Sequence, residues 1–293
     1  MRRLTQGGFF RWFERLRMAF RMYGTRKGYH WSSTITLFAF IALFPIVIYL
    51  TIVIRFLPQG LLVRFLDFWL PEQAVQAVLR QIRLIGTPSP IDWILSLIAI
   101  VGAISHIFHS IIEISDDVYG YHGRHFWERR KVAIGIMLVF IGWQLITMLF
   151  YVASDWIVHL LQNLPFIRVH ELVIRFPGFI RFLSVTSVMV LQWCSLLLLF
   201  GMAAPEFHPR DQIPGATFTT LTWWIVSRIL GMYFRWVPVE DIYGALTGIL
   251  VFIFWVYYAS MLLIVGICLN AITARERRIA DREEAAFVIA TPT

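Results

Sequence analysis

The sequence has little charge for its length. Asp, Glu, Lys and Arg make up 15% of the 293 residues, whereas soluble globular domains contain about 25%. Apolar residues account for 58%, and the mean hydropathy is +0.69. The 12 Trp, 10 Tyr and 25 Phe are typical of a protein that lies among lipid headgroups and tails. This composition excludes an ordinary soluble enzyme and indicates a membrane protein.

Three other features are scarce or missing. The two cysteines, Cys194 and Cys268, both stand in apolar runs, which predicts buried thiols and excludes a disulfide framework or a zinc signature. No short apolar stretch precedes a small-residue cleavage site near the N-terminus, so we expect no cleaved signal peptide. No nucleotide-binding loop is visible, so any transport would use a gradient, a partner or passive equilibration.

Long apolar runs are abundant. A membrane-spanning helix needs about 20 mostly apolar residues. The sequence therefore predicts an all-α, polytopic membrane protein with six transmembrane helices, at 33–56, 92–114, 131–156, 178–203, 213–236 and 246–270. A cytoplasmic basic amphipathic segment (1–32) precedes this six-helix domain (33–272), and a cytoplasmic charged tail (273–293) follows it.

Lys and Arg are distributed unevenly among the predicted connections. Seventeen fall on the side that holds both termini, eight fall on the other side, and Arg228 lies within a span. Because cytoplasmic loops carry the excess of positive charge, both termini are predicted to be cytoplasmic. The net charge of +8 is thereby explained by topology, and without an RNA-binding module we expect no nucleic-acid partner.

Two segments that do not span are predicted to be amphipathic helices. Residues 8–23 alternate aromatic and basic residues, with one apolar stripe formed by Phe9, Phe13, Leu16 and Phe20. This pattern is typical of a helix in the cytoplasmic headgroup layer, and docking to a partner is the alternative. Residues 60–86, between the first two spans, are too polar to cross and should lie on the outer surface or cap the bundle.

The second span carries ionisable residues that are costly at membrane depth. At about 100° per residue they all fall within an arc of about 100°. They are His106, His109, Glu113, Asp116 and Asp117. We expect the two aspartates to lie already in water, and the face to point away from lipid.

Three interpretations of that face remain open. In the first, His109 and Glu113 reach the membrane interface while His106 forms a hydrogen bond with a neighbouring helix. In the second, the face lines a cavity or groove that is open to the cytoplasm. The third interpretation is a metal site formed by His106, His109 and Glu113. Their spacing is not a zinc signature, so we expect no metal and no cofactor.

Other spans supply further polar candidates. Gln144 and Gln192 fall mid-span and should face the bundle interior to find hydrogen-bond partners. Arg228 has an insertion cost of about 2.5–3.5 kcal/mol at a helix centre. It snorkels outward, pairs with an acceptor such as Gln192, or holds an anionic headgroup or substrate. No catalytic residue is predicted. The cavity-lining candidates are His106, His109, Glu113, Gln144, Gln192 and Arg228.

Three residues are predicted to act through the backbone. Pro45 should kink the first span near its middle, because proline removes a helix hydrogen bond. Gly244 and Gly248 give the last span a small-residue face for close packing.

Five stretches together resemble the YihY/BrkB family of bacterial inner-membrane proteins, formerly labelled ribonuclease BN. They are TLFAFIALFPIVI, DDVYGYHGRHFWERRK, HPRDQIPGATFTTLTWW, IYGALTGILVFIFWVYYASMLLIVG and CLNAITARERR. The resemblance covers roughly residues 28–275. The resemblance implies a six-helix fold in the bacterial inner membrane, with links in parts of the family to virulence, envelope integrity and lipid handling. Cys268 stands where family members often have an acidic residue, and Asp116 and Asp117 where they often have Asn and Arg.

Three functions follow as hypotheses. The first is a transporter or lipid-handling protein with a polar cavity or groove, whose partners are membrane lipids. The second is a scaffold or anchor for an envelope complex, with an envelope protein as partner, that uses the outer segment 60–86 and the cytoplasmic basic helix. The third, which we favour least, is a hydrolase or ribonuclease, because the connections lack the clustered carboxylates or histidines that metal-dependent hydrolysis uses. The sequence does not give the oligomeric state.

Overall fold

The computed structural model describes residues 8–53, 63, 75–76, 79–80, 89–163, 177–205, 208–236 and 247–290. Over these residues the chain is helical and contains no strand, which confirms the all-α class. Seven helices are present: α1 (Gly8–Thr25), α2 (Gly28–Val53), α3 (Pro90–Tyr119), α4 (Phe126–Asn163), α5 (Pro177–Ala203), α6 (Pro209–Trp236) and α7 (Thr247–Ala290).

Five of these helices are long and apolar enough to cross a membrane. They are α2, α3, α4, α5 and α7, which overlap the first four and the sixth predicted spans. The fifth predicted span falls in α6, which is less apolar because it carries Arg228 and four threonines: Thr217, Thr219, Thr220 and Thr222. A membrane-spanning bundle is thereby confirmed, and the count of six stays a prediction.

α7 is the most deeply buried helix. Ile264, Val265, Cys268, Leu269 and Ala271 have no exposed surface. The helix packs against α1, α2, α3 and α6 and so organises the core. Close van der Waals packing and interhelical hydrogen bonds drive such association between helices in a membrane. α7 continues without interruption to Ala290, so the predicted tail begins as part of the same helix.

α6 and α7 approach each other at two glycines. A Cβ atom on Gly215 would collide with the carbonyl oxygen of Gly266 and with Oδ1 of Asn270, and one on Gly266 would collide with Oγ1 of Thr219. Small residues permit this close backbone contact between helices in membranes. The contact lies nearer the C-terminal end of α7 than the predicted face of Gly244 and Gly248. Gly248 is buried near the start of α7, and Gly244 lies outside the described residues.

α1 lies against the end of α7. Arg15 forms an ion pair with Glu276 at 2.6 Å, and Ala19 is fully buried. Of the predicted apolar stripe, Leu16 packs against the core while Phe13 and Phe20 are exposed. The side chain of Phe9 and most of residues 60–86 lie outside the described part of the chain.

Two further predictions concern the backbone of α2 and the cysteines. Pro45 lies inside α2 and is buried, so α2 lacks one backbone hydrogen bond there. Both cysteines are free thiols; Cys268 is buried and Cys194 is partly buried.

Candidate functional site

The end of α3 folds back on itself at Gly120. This residue has φ 72°, a left-handed conformation that glycine adopts without strain. The Gly120 N–H donates to the carbonyl of Asp117 at 3.1 Å, and the Tyr121 N–H donates to that of Asp116 at 2.8 Å. These two bonds form a Schellman C-cap, which reverses the chain and brings Arg124 back over the last turn of α3.

Asp116 is the buried centre of this region. Its side chain is 1% exposed, and its carboxylate accepts hydrogen bonds from Arg124 Nη1 at 3.2 Å and from Arg129 Nε at 3.1 Å. The prediction that Asp116 lies in water is therefore wrong. Two guanidinium groups supply the charge and hydrogen bonds that a buried carboxylate requires.

Arg124 also links α3 to α5. Its guanidinium donates to the carbonyls of Ala203 and Ala204, both at 3.3 Å. Carbonyls at a helix C-terminus lack partners within the helix, and a cation there complements the helix dipole. Arg124 therefore fixes the end of α5 relative to α3.

The two acidic residues closest to Asp116 on α3 are more exposed. Asp117 pairs with Arg26 at 2.9 Å, with side chains 39% and 41% exposed. Glu113 lies 3.7 Å from Arg129 Nη1 and 3.8 Å from Nε2 of His109. These contacts lie at the rim of the buried Asp116 site.

A second buried group connects α3, α6 and α7. Asn270 Nδ2 donates to Oε1 of Gln212 at 3.0 Å, and Oδ1 of Asn270 accepts from the Gly215 N–H at 2.7 Å. Gln212 Nε2 in turn donates to the Tyr119 hydroxyl at 3.4 Å. We call the two groups together the inner polar cluster: Asp116, Tyr119, Arg124, Arg129, Gln212 and Asn270.

Two arginines of α7 complete this end of the molecule. Arg277 binds the buried carboxylate of Asp211 through Nε and Nη2, at 2.9–3.1 Å. Arg275 donates to the carbonyl of Val118 at 2.9 Å. The motif stretches at residues 116–131, 208–224 and 268–278 therefore meet in space at one end of the bundle.

The inner polar cluster was not predicted as a site. A signal was present, because Asp116 is followed 8 and 13 residues later by arginines, with a glycine between them that permits a reversal. The hydrophobic periodicity of α3 describes only that helix, so it does not show that the following segment reverses and brings these arginines to Asp116.

The structure brings the predicted α3 residues close together. His106 is half-buried, and its ring stacks on that of Phe38 with centroids 3.8 Å apart. The His106 and His109 ring centroids lie 6.0 Å apart, and His109 is 5% exposed. The Nδ1 atom of His109 has no hydrogen-bond partner in the described part of the chain.

The other three predicted residues lie on separate helices. Gln144 of α4 donates to Ser195 of α5 at 3.1 Å, and Gln192 lies on α5 with a buried Nε2 that finds no partner among the described residues. Arg228 is exposed on α6, with its guanidinium carbon 5.4 Å from the centroid of the Trp224 ring.

A groove of about 450 Å³ runs between the end of α5 and the start of α6. We call it the α5–α6 groove; it is lined by Trp193, Leu197, Leu198, Gly201, Met202, Pro209, Gln212 and Ile213. Trp193 Nε1 donates to Oγ1 of Thr217 at 3.0 Å, so this indole is fixed in place. None of the six predicted candidates lines this groove.

No group of three or more His, Cys, Asp or Glu side chains in the described ranges is arranged to hold a metal ion. His106, His109 and Glu113 share a face, and Nε2 of His109 lies 3.8 Å from the Glu113 carboxylate.

Comparison with known proteins gives one family and one relative. The family model described as "Virulence factor BrkB" matches residues 19–287. The relative is the putative ribonuclease-like protein YfkH of Bacillus subtilis (strain 168), 23% identical over 275 residues, which cover 91% of this chain and 97% of the relative. No solved structure matches significantly.

Proposed function

The chain belongs to the virulence factor BrkB family, and from this premise we propose that it is a six-span protein of the bacterial inner membrane that binds and moves a lipid-like component of the envelope. The observation that carries the proposal is the α5–α6 groove. Membrane lipids are its proposed partners.

The chemistry of the groove favours an acyl chain. Its volume of about 450 Å³ falls within the range of about 300–1,000 Å³ that is typical of ligand sites. Its walls are apolar apart from Gln212, so an ionic cargo would lose its hydration there without compensation. Leu198 and Ile213 are 39% and 43% exposed, which leaves the groove accessible from the side of the bundle.

The inner polar cluster holds in place the two helices that form the groove. Arg124 holds the last carbonyls of α5, and Gln212 joins the start of α6 to Asn270 of α7. A binding site needs walls that keep their spacing, and hydrogen bonds to buried groups supply that rigidity. The cluster is therefore assigned a positioning role.

The contacts at this end of the bundle support the proposed topology. Residues near 26, 117–124, 204–211 and 277 touch one another there, and the sequence assigns all four to the side richer in Lys and Arg. We propose that this end faces the cytoplasm, together with both termini. The α5–α6 groove then opens in the cytoplasmic half of the membrane.

A groove-filling variant tests the proposal. Leu198→Trp places an indole in the groove, so we expect the purified protein to retain several-fold less bound phospholipid, measured by mass spectrometry of the lipid extract. In proteoliposomes we expect it also to slow the transbilayer movement of a fluorescent phospholipid.

Val190→Trp is the matched control. Val190 lies on the same helix, is 52% exposed and does not line the groove. We expect Val190→Trp to leave lipid retention and movement unchanged. Equal lipid retention in both variants and the original protein would refute the role of the groove.

Hydrolysis is the alternative that the relative's name favours, since YfkH is called ribonuclease-like. Metal-dependent cleavage of RNA by the purified protein, lost in His106→Ala, would favour that alternative over lipid handling. The His106 and His109 pair is the place where we would look for such chemistry.

A further inference from the structure

A second groove, of about 440 Å³, lies between α1 and the cytoplasmic part of α7. We call it the α1–α7 groove. Four of its lining residues are apolar and three are arginines: Met18, Met22, Ile272 and Ile279, and Arg21, Arg26 and Arg275. Both this groove and the α5–α6 groove lie near the cytoplasmic end of the bundle, but they have no lining residue in common.

The arginines of this groove have hydrogen-bonding capacity left over. A guanidinium group carries five N–H donors. Arg26 uses Nη1 on Asp117, and Arg275 uses Nη2 on the carbonyl of Val118. Arg21 is exposed and makes no ion pair or hydrogen bond within the part of the chain that the structure describes.

The charge balance of the groove is positive. Its one acidic residue, Glu276, already pairs with Arg15 at 2.6 Å. Asp117 neutralises part of the charge of Arg26 and lies outside the lining. An anion that enters the groove therefore meets guanidinium groups with free donors, and phosphate matches their geometry well.

Apolar surface beside these donors distinguishes a lipid from a soluble anion. The flexible methionines Met18 and Met22 adapt to acyl chains of different shape. On the same helix, Phe10, Trp12 and Phe13 are 48%, 43% and 57% exposed, as expected for a helix at the lipid headgroups. The groove thus offers arginines beside an apolar wall, the combination that a phosphate headgroup joined to acyl chains requires.

We propose that the α1–α7 groove binds one anionic phospholipid of the cytoplasmic leaflet. The phosphate contacts Arg21, Arg26 and Arg275, and the upper part of an acyl chain packs against Met18, Met22 and Ile279. The bound lipid joins α1 to α7 and holds the N-terminal helix at the membrane surface. This site is separate from the proposed cargo groove and stands without it.

The test measures binding of dioctanoyl phosphatidylglycerol to the delipidated full-length protein by native mass spectrometry. We expect Arg21→Gln to weaken binding of one lipid about tenfold, because a charge-assisted hydrogen bond is lost. Arg17→Gln is the matched control, since Arg17 is exposed on the same helix and does not line the groove. Neither change removes an ion pair or hydrogen bond of the described chain, and equal thermal unfolding temperatures verify that both variants fold.

A second pair of measurements separates a lipid from a free phosphate. Ile279→Asn leaves the charge unchanged and removes apolar surface, so we expect about threefold weaker binding of the lipid and no change for glycerol 3-phosphate. Leu198→Trp, which fills the other groove, should bind this lipid as the original protein does. That result would show that lipid binding in the α1–α7 groove does not depend on the α5–α6 groove of the proposed function.

Three outcomes would overturn the proposal. Equal binding by Arg21→Gln and Arg17→Gln would show only a general attraction to positive charge. Displacement by inorganic phosphate as effectively as by lipid would assign the groove to a soluble anion. Tighter, Arg21-dependent binding of an acidic peptide would assign it to a protein partner.

Discussion

At the scale of single residues, two neighbouring carboxylates show how burial determines the contribution of an ion pair to the stability of the fold. Asp116 is 1% exposed and bonded to two arginines, while Asp117 is 39% exposed and pairs with one. A buried ion pair that loses one partner leaves a desolvated charge, whereas an exposed pair is screened by water. The two positions offer a direct comparison within one turn of α3.

Asp116→Asn should destabilise the protein by about 3 kcal/mol, because Arg124 and Arg129 would keep their charges without the carboxylate. The measurement is the free energy of unfolding in mixed detergent micelles. Asp117→Asn is the control and should cost less than about 1 kcal/mol. If the two variants unfold alike, the buried pair does not stabilise the fold in the way its geometry indicates.

The residue scale is also where the sequence predicted least. The shared face of His106, His109 and Glu113 is visible in helical periodicity, and the structure brings His109 to within 3.8 Å of Glu113. The burial of Asp116 depends on Arg124, which approaches it after the chain reverses at Gly120. A helical wheel of α3 does not include that residue. Long-range pairing of this kind needs the tertiary fold.

At the scale of elements, the crossing of α6 and α7 depends on the absence of side chains. Gly215 faces backbone and Asn270 atoms of α7, and the Asn270 side chain accepts the Gly215 N–H at 2.7 Å. Two stretches that are far apart in sequence therefore pack against each other at this crossing: Pro214–Gly215–Ala216 and Leu269–Asn270–Ala271.

Gly215→Ala should separate the two helices and cost about 1–3 kcal/mol, because an added methyl group meets a carbonyl oxygen that cannot rotate away. Thermal unfolding of the purified protein measures the loss. Gly231→Ala is the control on the same helix, since its Cβ would meet nothing within 4 Å. We expect this variant to be as stable or more stable, because alanine favours helix by about 1 kcal/mol over glycine.

A stabilised or unchanged Gly215→Ala would contradict the close crossing. The Asn270 contact gives a second readout. Asn270→Ala adds no backbone clash, but it removes the acceptor of the Gly215 N–H and the donor to Gln212 Oε1. Two buried groups then lack partners, so we expect this variant also to be less stable, by about 1–3 kcal/mol.

Helices were more predictable than their contacts. Hydrophobic runs located α2, α3, α4, α5 and α7, and the alternation of aromatic and basic residues located α1. The sequence ended the last span near residue 270, but α7 continues because its charged residues find partners on α1 and α6, as Arg277 does on Asp211. Such partners are invisible in a window of local hydropathy.

At the scale of the whole molecule, the number of crossings depends on α6. Its threonines lower its hydropathy, but their hydroxyl groups have partners. Thr220 and Thr222 donate within α6, to the carbonyls of Ala216 at 2.8 Å and Phe218 at 2.7 Å, and Thr219 donates to the carbonyl of Leu262 on α7 at 3.4 Å. Trp255 of α7 donates to Ser227 at 2.9 Å. Polar groups with such partners are tolerated at membrane depth, so the threonines do not prevent α6 from crossing.

Single cysteines test that crossing in a protein whose two natural cysteines are replaced by alanine. If α6 crosses, Gln59→Cys and Glu240→Cys react with a membrane-impermeant maleimide in intact spheroplasts, and Thr5→Cys, His122→Cys and Thr291→Cys react only after permeabilisation. If α6 does not cross, Glu240→Cys joins His122→Cys on the inside. Because α7 then carries the chain outward, Thr291→Cys would react from outside while Thr5→Cys does not. The two chain ends therefore distinguish six crossings from five, since an even number returns the chain to the side on which it began.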